Sequence, residues 1–97
     1  MDKNRAEFTT HYRRWRESTI LLQSMKEILE SPHYNAIIKM GERAVPFVLE
    51  HIQYHPDMLV LSLEEILGFS VLPSDRKIIP IDEQCRIWIK YFNLDYV

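Results

Sequence analysis

Between Ser31 and Ile52 the chain carries two helix-start signals separated by a glycine stop, and this stretch limits the fold more than any other. Ser31 precedes Pro32, a pairing that caps a helix N-terminus and places proline where its missing N–H costs nothing. Tyr34, Ile37 and Ile38 give the first segment an apolar side, and Gly41 stands where a left-handed residue ends a helix. Ala44-Val45-Pro46 opens a second helix reaching Tyr54. In it Val45, Val48, Leu49 and Ile52 recur at i, i+3, i+4 and i+7 and therefore share one face. The stretch predicts a helical hairpin with a buried seam, and it contains no catalytic constellation.

The flanking sequence extends the same rhythm. From Asp2 to Glu30 there is neither proline nor glycine. Phe8, Tyr12, Trp15, Leu22, Met25 and Leu29 recur near the helical period, which predicts one long helix over 3–30. Ile20, Leu21 and Ile28 widen the apolar face toward its C-terminal half, so that half is expected to dock most deeply and the amino-terminal turns to stand free for a partner. His55-Pro56-Asp57 begins another helix, with Leu59, Val60, Leu63, Ile66 and Leu67 apolar, Glu64 and Glu65 outward and Gly68 as its C-cap. The hairpin core then spans 32–67. Pro73, Pro80 and the polar Ser74-Asp75-Arg76-Lys77 cluster mark a loop over 69–81 without a strand, because Pro80 lacks the N–H a central strand needs. Asp82 is the expected N-cap of a last helix over 82–93, with Cys85, Trp88 and Phe92 turned inward and Ile87, Ile89 and Tyr91 beside them.

Composition bounds what such a chain can do. Its 97 residues, 46% hydrophobic and 27% charged, suit one domain over 1–97. A net charge of −2 gives no global attraction to nucleic acid or to an anionic membrane. Cys85 is the only cysteine, so there is neither an internal disulfide nor a multi-cysteine metal site, and a cytoplasmic setting is expected. The N-terminus shows no signal-peptide apolar stretch, and no run approaches a membrane span.

The run Met40-Gly41-Glu42-Arg43-Ala44-Val45-Pro46-Phe47-Val48-Leu49 resembles the turn and second-helix start of HEAT-like repeats. Taken with Ser31, Pro56, Leu63, Gly68, Pro73 and Trp88, the chain resembles a group of uncharacterised small bacterial proteins built on a helical hairpin, a proline loop and a tryptophan-bearing last helix. That resemblance implies a helical fold and supplies no site residues. A solenoid needs several stacked repeats, and one unit is present here.

The candidate chemistry is sparse. His51 and His55 lie four apart with Glu50 adjacent, but Ile52 stands where a zinc protease places its glutamate. Cys85 follows Asp82 and Glu83, whose charges oppose a thiolate, and its register with Trp88 and Phe92 makes it a small core residue. Two glycines cannot build a phosphate-cradling loop. These features predict no enzyme, no cofactor and no metal. His11-Tyr12-Arg13-Arg14-Trp15-Arg16 is the densest basic run, and residues 1–16 carry five Lys or Arg against two Asp or Glu. The stretch 42–65 carries five acidic residues against Arg43, so it can receive such a segment from this or another copy. Aromatic content of 11% exceeds what so small a core requires.

The sequence therefore predicts an all-α bundle of about five helices with a HEAT-like central hairpin, acting as a protein-interaction module in the manner of an adaptor, immunity or antitoxin-like partner. Arg13, Arg14, Arg16, Phe69, Arg76 and Lys77 are the expected contact residues, and the partner is another protein or a second copy. The alternative is a nucleic-acid-associated regulator using the basic first helix.

Overall fold

Helix caps and apolar periodicity are realised in an all-α fold. The structure, a computed structural model, describes residues 2–20, 24–75 and 78–92. Among these, α-helices run over Lys3–Thr19 (α1), Met25–Leu29 (α2), Pro32–Met40 (α3), Val45–Tyr54 (α4), Ser62–Leu67 (α5) and Ile81–Tyr91 (α6). Short 3-10 turns at Gly41–Ala44 and Met58–Leu61 lead into α4 and α5, and no strand occurs among the described residues. The chain divides into two units, residues 1–44 and 45–97.

In the first unit α1 packs mainly on α3, and α2 packs on α3 as well. Phe8, Trp15, Tyr34, Ile37 and Met40 are buried there. Asp2 caps α1 by accepting from the backbone N–H of Asn4 at 2.9 Å, and Ser31 caps α3 by accepting from that of His33 at 3.2 Å.

The single helix expected over 3–30 is instead two helices. The hydroxyls of Ser18 and Thr19 donate to the Trp15 carbonyl at 3.1 and 2.7 Å, offering the backbone an alternative to its own ladder. Ser24 then takes extended backbone at φ −91°, ψ 126° ahead of α2. The expected depth is also reversed. Ile20 and Met25 are 78% and 55% exposed, whereas Phe8 and Trp15 are buried, because the period that put Ile20 on the stripe stops at the helix end. The amino-terminal turns are tied down: the Arg43 guanidinium donates to Asn4 Oδ1 at 3.0 Å and to Glu7 Oε1 at 3.4 Å. Leu21 and Leu22, also assigned to the stripe, lie outside the described residues.

In the second unit α4 packs on α6, α5 and the turn at Met58–Leu61, and α6 packs on that turn as well. Val48, Leu49, Ile52, Leu59, Val60, Leu63, Cys85, Trp88 and Ile89 form its core. Asp57, extended at φ −153°, caps the 3-10 turn by accepting from the Leu59 N–H at 2.8 Å, and Gly68 ends α5 in the left-handed region at φ 80°. The expected cap at Asp82 is not used. Proline 80 occupies the N-cap of α6 and its carbonyl accepts from Gln84, so Asp82 lies within the first turn, where its carboxylate complements the helix dipole. The helix runs to Tyr91 with Phe92 at its C-cap, and Asn93 and the tail lie outside the described residues.

Candidate interaction surface

The basic run forms the middle of α1. Arg13, Arg14 and Arg16 are exposed. Their aromatic neighbours turn the other way. Trp15 is 1% exposed and tilts against Tyr34 at 5.3 Å, while half-buried Tyr12 stacks on Phe8 at 6.1 Å and meets the edge of Trp15. The arginines are thus displayed without the rings that would stack on bases. A shallow depression beside them brings Arg5 and Arg13 onto one side of α1 with Thr9 and the Asp2 carboxylate.

Phe69 opens the segment between α5 and α6, 44% exposed yet held by rings from α6. Its centroid lies 5.9 Å from Trp88 and 5.8 Å from Tyr91, and Tyr91 meets Phe92 edge-on at 5.1 Å. Trp88 is fully buried and Tyr91 is 53% exposed, so the cluster has a packed root and a solvent-facing edge. Ile78, in the same segment, is 83% exposed. Arg76 and Lys77, expected beside them, lie outside the described residues.

A second feature of this unit is an apolar groove of about 680 Å³ along α4. Val45, the first residue of the helix, and Leu49, about one turn on, contribute its buried apolar positions, and Pro46, Glu50, Gln53 and Tyr54 its more accessible ones. Phe92 adds a ring from beyond α6, and Tyr54 is 57% exposed. Sequence reasoning placed Val45 and Leu49 in the core but did not find the groove. Its signal is the second stripe at 46, 50, 53 and 54, at helical spacing and mixed in polarity.

The reactive candidates are used structurally. His51 Nε2 lies 3.0 Å from Asp57 Oδ2, which links the last turn of α4 to the capping carboxylate, and the His51 and His55 rings lie 5.4 Å apart. Among the described residues no group of three or more His, Cys, Asp or Glu side chains is placed to hold a metal ion. Cys85 is buried, and its thiol is pushed up to about 11, chiefly by burial. The Asp57 and Asp82 carboxylates add to this rise, while the Asp57 backbone N–H and Arg86 oppose it. A thiol so placed stays protonated at neutral pH and is a poor nucleophile.

Among the described residues no helix is long and apolar enough to cross a membrane. Comparison of the chain with models of protein families, with curated proteins and with solved structures finds no match.

Proposed function

We propose that this chain is a non-enzymatic protein-interaction module, a small adaptor, immunity or antitoxin-like partner in a bacterial cytoplasm. The observation that carries the reading is the exposure of Phe69 and Tyr91 on a ring cluster rooted in fully buried Trp88. Aromatic side chains held this way bury large area on contact and have little rotamer freedom left to lose, which is the physical profile of an interface anchor. The cytoplasmic setting is supported by a lone cysteine, and the bacterial origin by the resemblance of Ser31 to Leu49, with Pro56, Leu63, Gly68, Pro73 and Trp88, to small bacterial helical proteins.

The test is affinity capture from native-host lysate with the wild-type chain and with a Phe69→Ser/Tyr91→Ser variant that retains its helical circular dichroism. A stoichiometric protein held by the wild type and lost from the variant is the expected result. An identical profile for the two chains, or none, overturns the reading.

The second reading, a nucleic-acid-associated regulator, is favoured by the exposure of Arg13, Arg14 and Arg16 along α1. Phosphate contacts of this kind release counterions, so binding falls steeply with salt. Retention of DNA or RNA at low salt that disappears in an Arg13→Ala/Arg14→Ala/Arg16→Ala variant supports it, and absence of retention at low salt removes it.

A further inference from the structure

We propose that one flank of α1, carrying Thr9, Arg13 and Arg16, binds the phosphate backbone of duplex nucleic acid, a proposal that rests on the nucleic-acid reading and specifies the form of the ligand. Arg5, Arg43 and Arg86 are engaged within the chain, Arg43 with Glu7 and Arg86 with Asp82. Arg13, Arg14 and Arg16 are exposed, and among the described residues their guanidiniums hold neither a hydrogen bond nor an ion pair. Residues 9–20 carry these three cations against Glu17 alone. A guanidinium with no carboxylate to give up meets phosphate at little cost, and its fork of N–H donors matches phosphate oxygens two at a time.

Helix geometry divides the three arginines. At about 100° per residue, Arg16 lies about 60° round α1 from Arg13 and about 4.5 Å further along it, with Thr9 about one turn before Arg13 on the same side. Thr9 is exposed and adds a hydroxyl donor of the kind that meets phosphate oxygens. Arg14 lies about 160° round from Arg16, across the exposed Glu17 carboxylate, and so faces away from a backbone seated on Arg13 and Arg16. A strand of a duplex brings one phosphate per about 3.4 Å of axis past that flank, so both guanidiniums meet phosphates of one strand.

The rings decide the form of the ligand. Binding of single strands draws on bases stacked against aromatic side chains. Here Trp15 is 1% exposed and half-buried Tyr12 packs on Phe8 and Trp15, so the rings that alternate with the arginines are turned away from them. A duplex keeps its bases stacked on one another and needs no protein ring. It also offers the denser charge, one per about 1.7 Å of axis with both strands counted.

The test is fluorescence anisotropy of the full chain with a fluorescein-labelled DNA duplex of roughly 20 base pairs, about two helical turns, and with one of its strands alone. The duplex is expected to bind at least about tenfold more tightly than the strand, and to lose affinity steeply between about 20 and 150 mM salt. Arg13→Ala and Arg16→Ala should each lower the slope of log affinity against log salt by about 1, while Arg14→Ala, an equal charge change, should leave the slope nearly unaltered. Helical circular dichroism checks that each variant is folded. Equal losses from Arg13→Ala and Arg14→Ala would assign the binding to diffuse charge and overturn the proposal. Competition by polyglutamate as strong as by unlabelled duplex would overturn it too, by giving the flank to acidic protein. The parent reading fails separately: a strand bound as tightly as the duplex sinks the duplex proposal and leaves a nucleic-acid regulator standing, whereas no binding of either at low salt removes both.

Discussion

The indole Nε1–H of Trp15 donates to the backbone carbonyl of Ile28 at 2.9 Å, and this bond spans the break between α1 and α2. The Trp15 carbonyl in turn accepts the hydroxyls of Ser18 and Thr19. One residue therefore both ends the first helix and holds the second beside it, which is why a stripe that reads as continuous in sequence is divided in space.

Trp15 and Trp88 make a matched pair for testing that bond. Both rings are buried, but the Trp88 Nε1–H meets no acceptor among the described residues. Replacing either tryptophan by phenylalanine removes a similar volume, so the difference between the two variants isolates the hydrogen bond. Trp15→Phe is expected to cost about 1–2 kcal/mol more than Trp88→Phe. Urea denaturation followed by circular dichroism measures it; equal midpoint shifts would mean the Trp15–Ile28 bond contributes nothing.

Asp57 serves two partners with its two oxygens, the Leu59 N–H at 2.8 Å and His51 Nε2 at 3.0 Å. Asp57→Ala removes both and is expected to destabilise the fold by about 1–2 kcal/mol, the usual cost of losing a capping side chain. Asp57→Asn keeps an acceptor for Leu59 and should recover more than half of that loss in the same denaturation assay.

The two glycines have positive φ but different backbone regions, Gly68 at φ 80°, ψ 12° and Gly41 at φ 65°, ψ −145°. Among the described residues a Cβ at either meets nothing within 4 Å, so with respect to them the cost of substitution is conformational. Gly68→Ala should cost about 1 kcal/mol, and Gly68→Asn less, since asparagine tolerates the left-handed region. Gly41→Ala should cost about 2 kcal/mol with no relief from asparagine, because its backbone region is close to glycine-only. Thermal midpoints of the four variants give the ordering directly.

The Cys85 thiol sets a pH dependence at the alkaline end. Its folded value of about 11 lies above the ordinary 9.0, so between these values the unfolded chain loses the proton first. The folded state then binds more protons than the unfolded, and stability falls as pH rises from about 9 through about 11. A Cys85→Ala variant should lack this increment. Alkylation by iodoacetamide should be negligible in the native protein at neutral pH and rapid in urea, and fast native labelling would show the thiol to be reachable.

Much of the helix pattern was legible because its signals are local. Ser31-Pro32 caps α3 as expected, Gly68 ends α5 in the left-handed region, and Val48, Leu49, Ile52, Leu59, Val60 and Leu63 are buried as their spacing requires. The misreadings occur where a local signal has competitors. Ser18 and Thr19 are ordinary helix residues until their hydroxyls turn back on the Trp15 carbonyl, and Asp82 is a good cap that Pro80 pre-empts. Which aromatic rings reach solvent was not legible in the sequence: Phe69 is 44% exposed, and the groove along α4 depends on Phe92, distant in sequence.

The amino-acid order by itself determined that this chain is helical, where most of its helices begin and stop, and that its single thiol belongs to a core. These follow from interactions between residues a few positions apart, whose energies depend little on the rest of the molecule. Tertiary structure alone decided which aromatic rings stay in water, which carboxylate meets His51, and where an apolar surface remains open along α4. Those depend on pairs such as Phe69 with Tyr91 and Leu49 with Phe92, whose proximity comes from packing across the fold and leaves no periodic trace in the sequence.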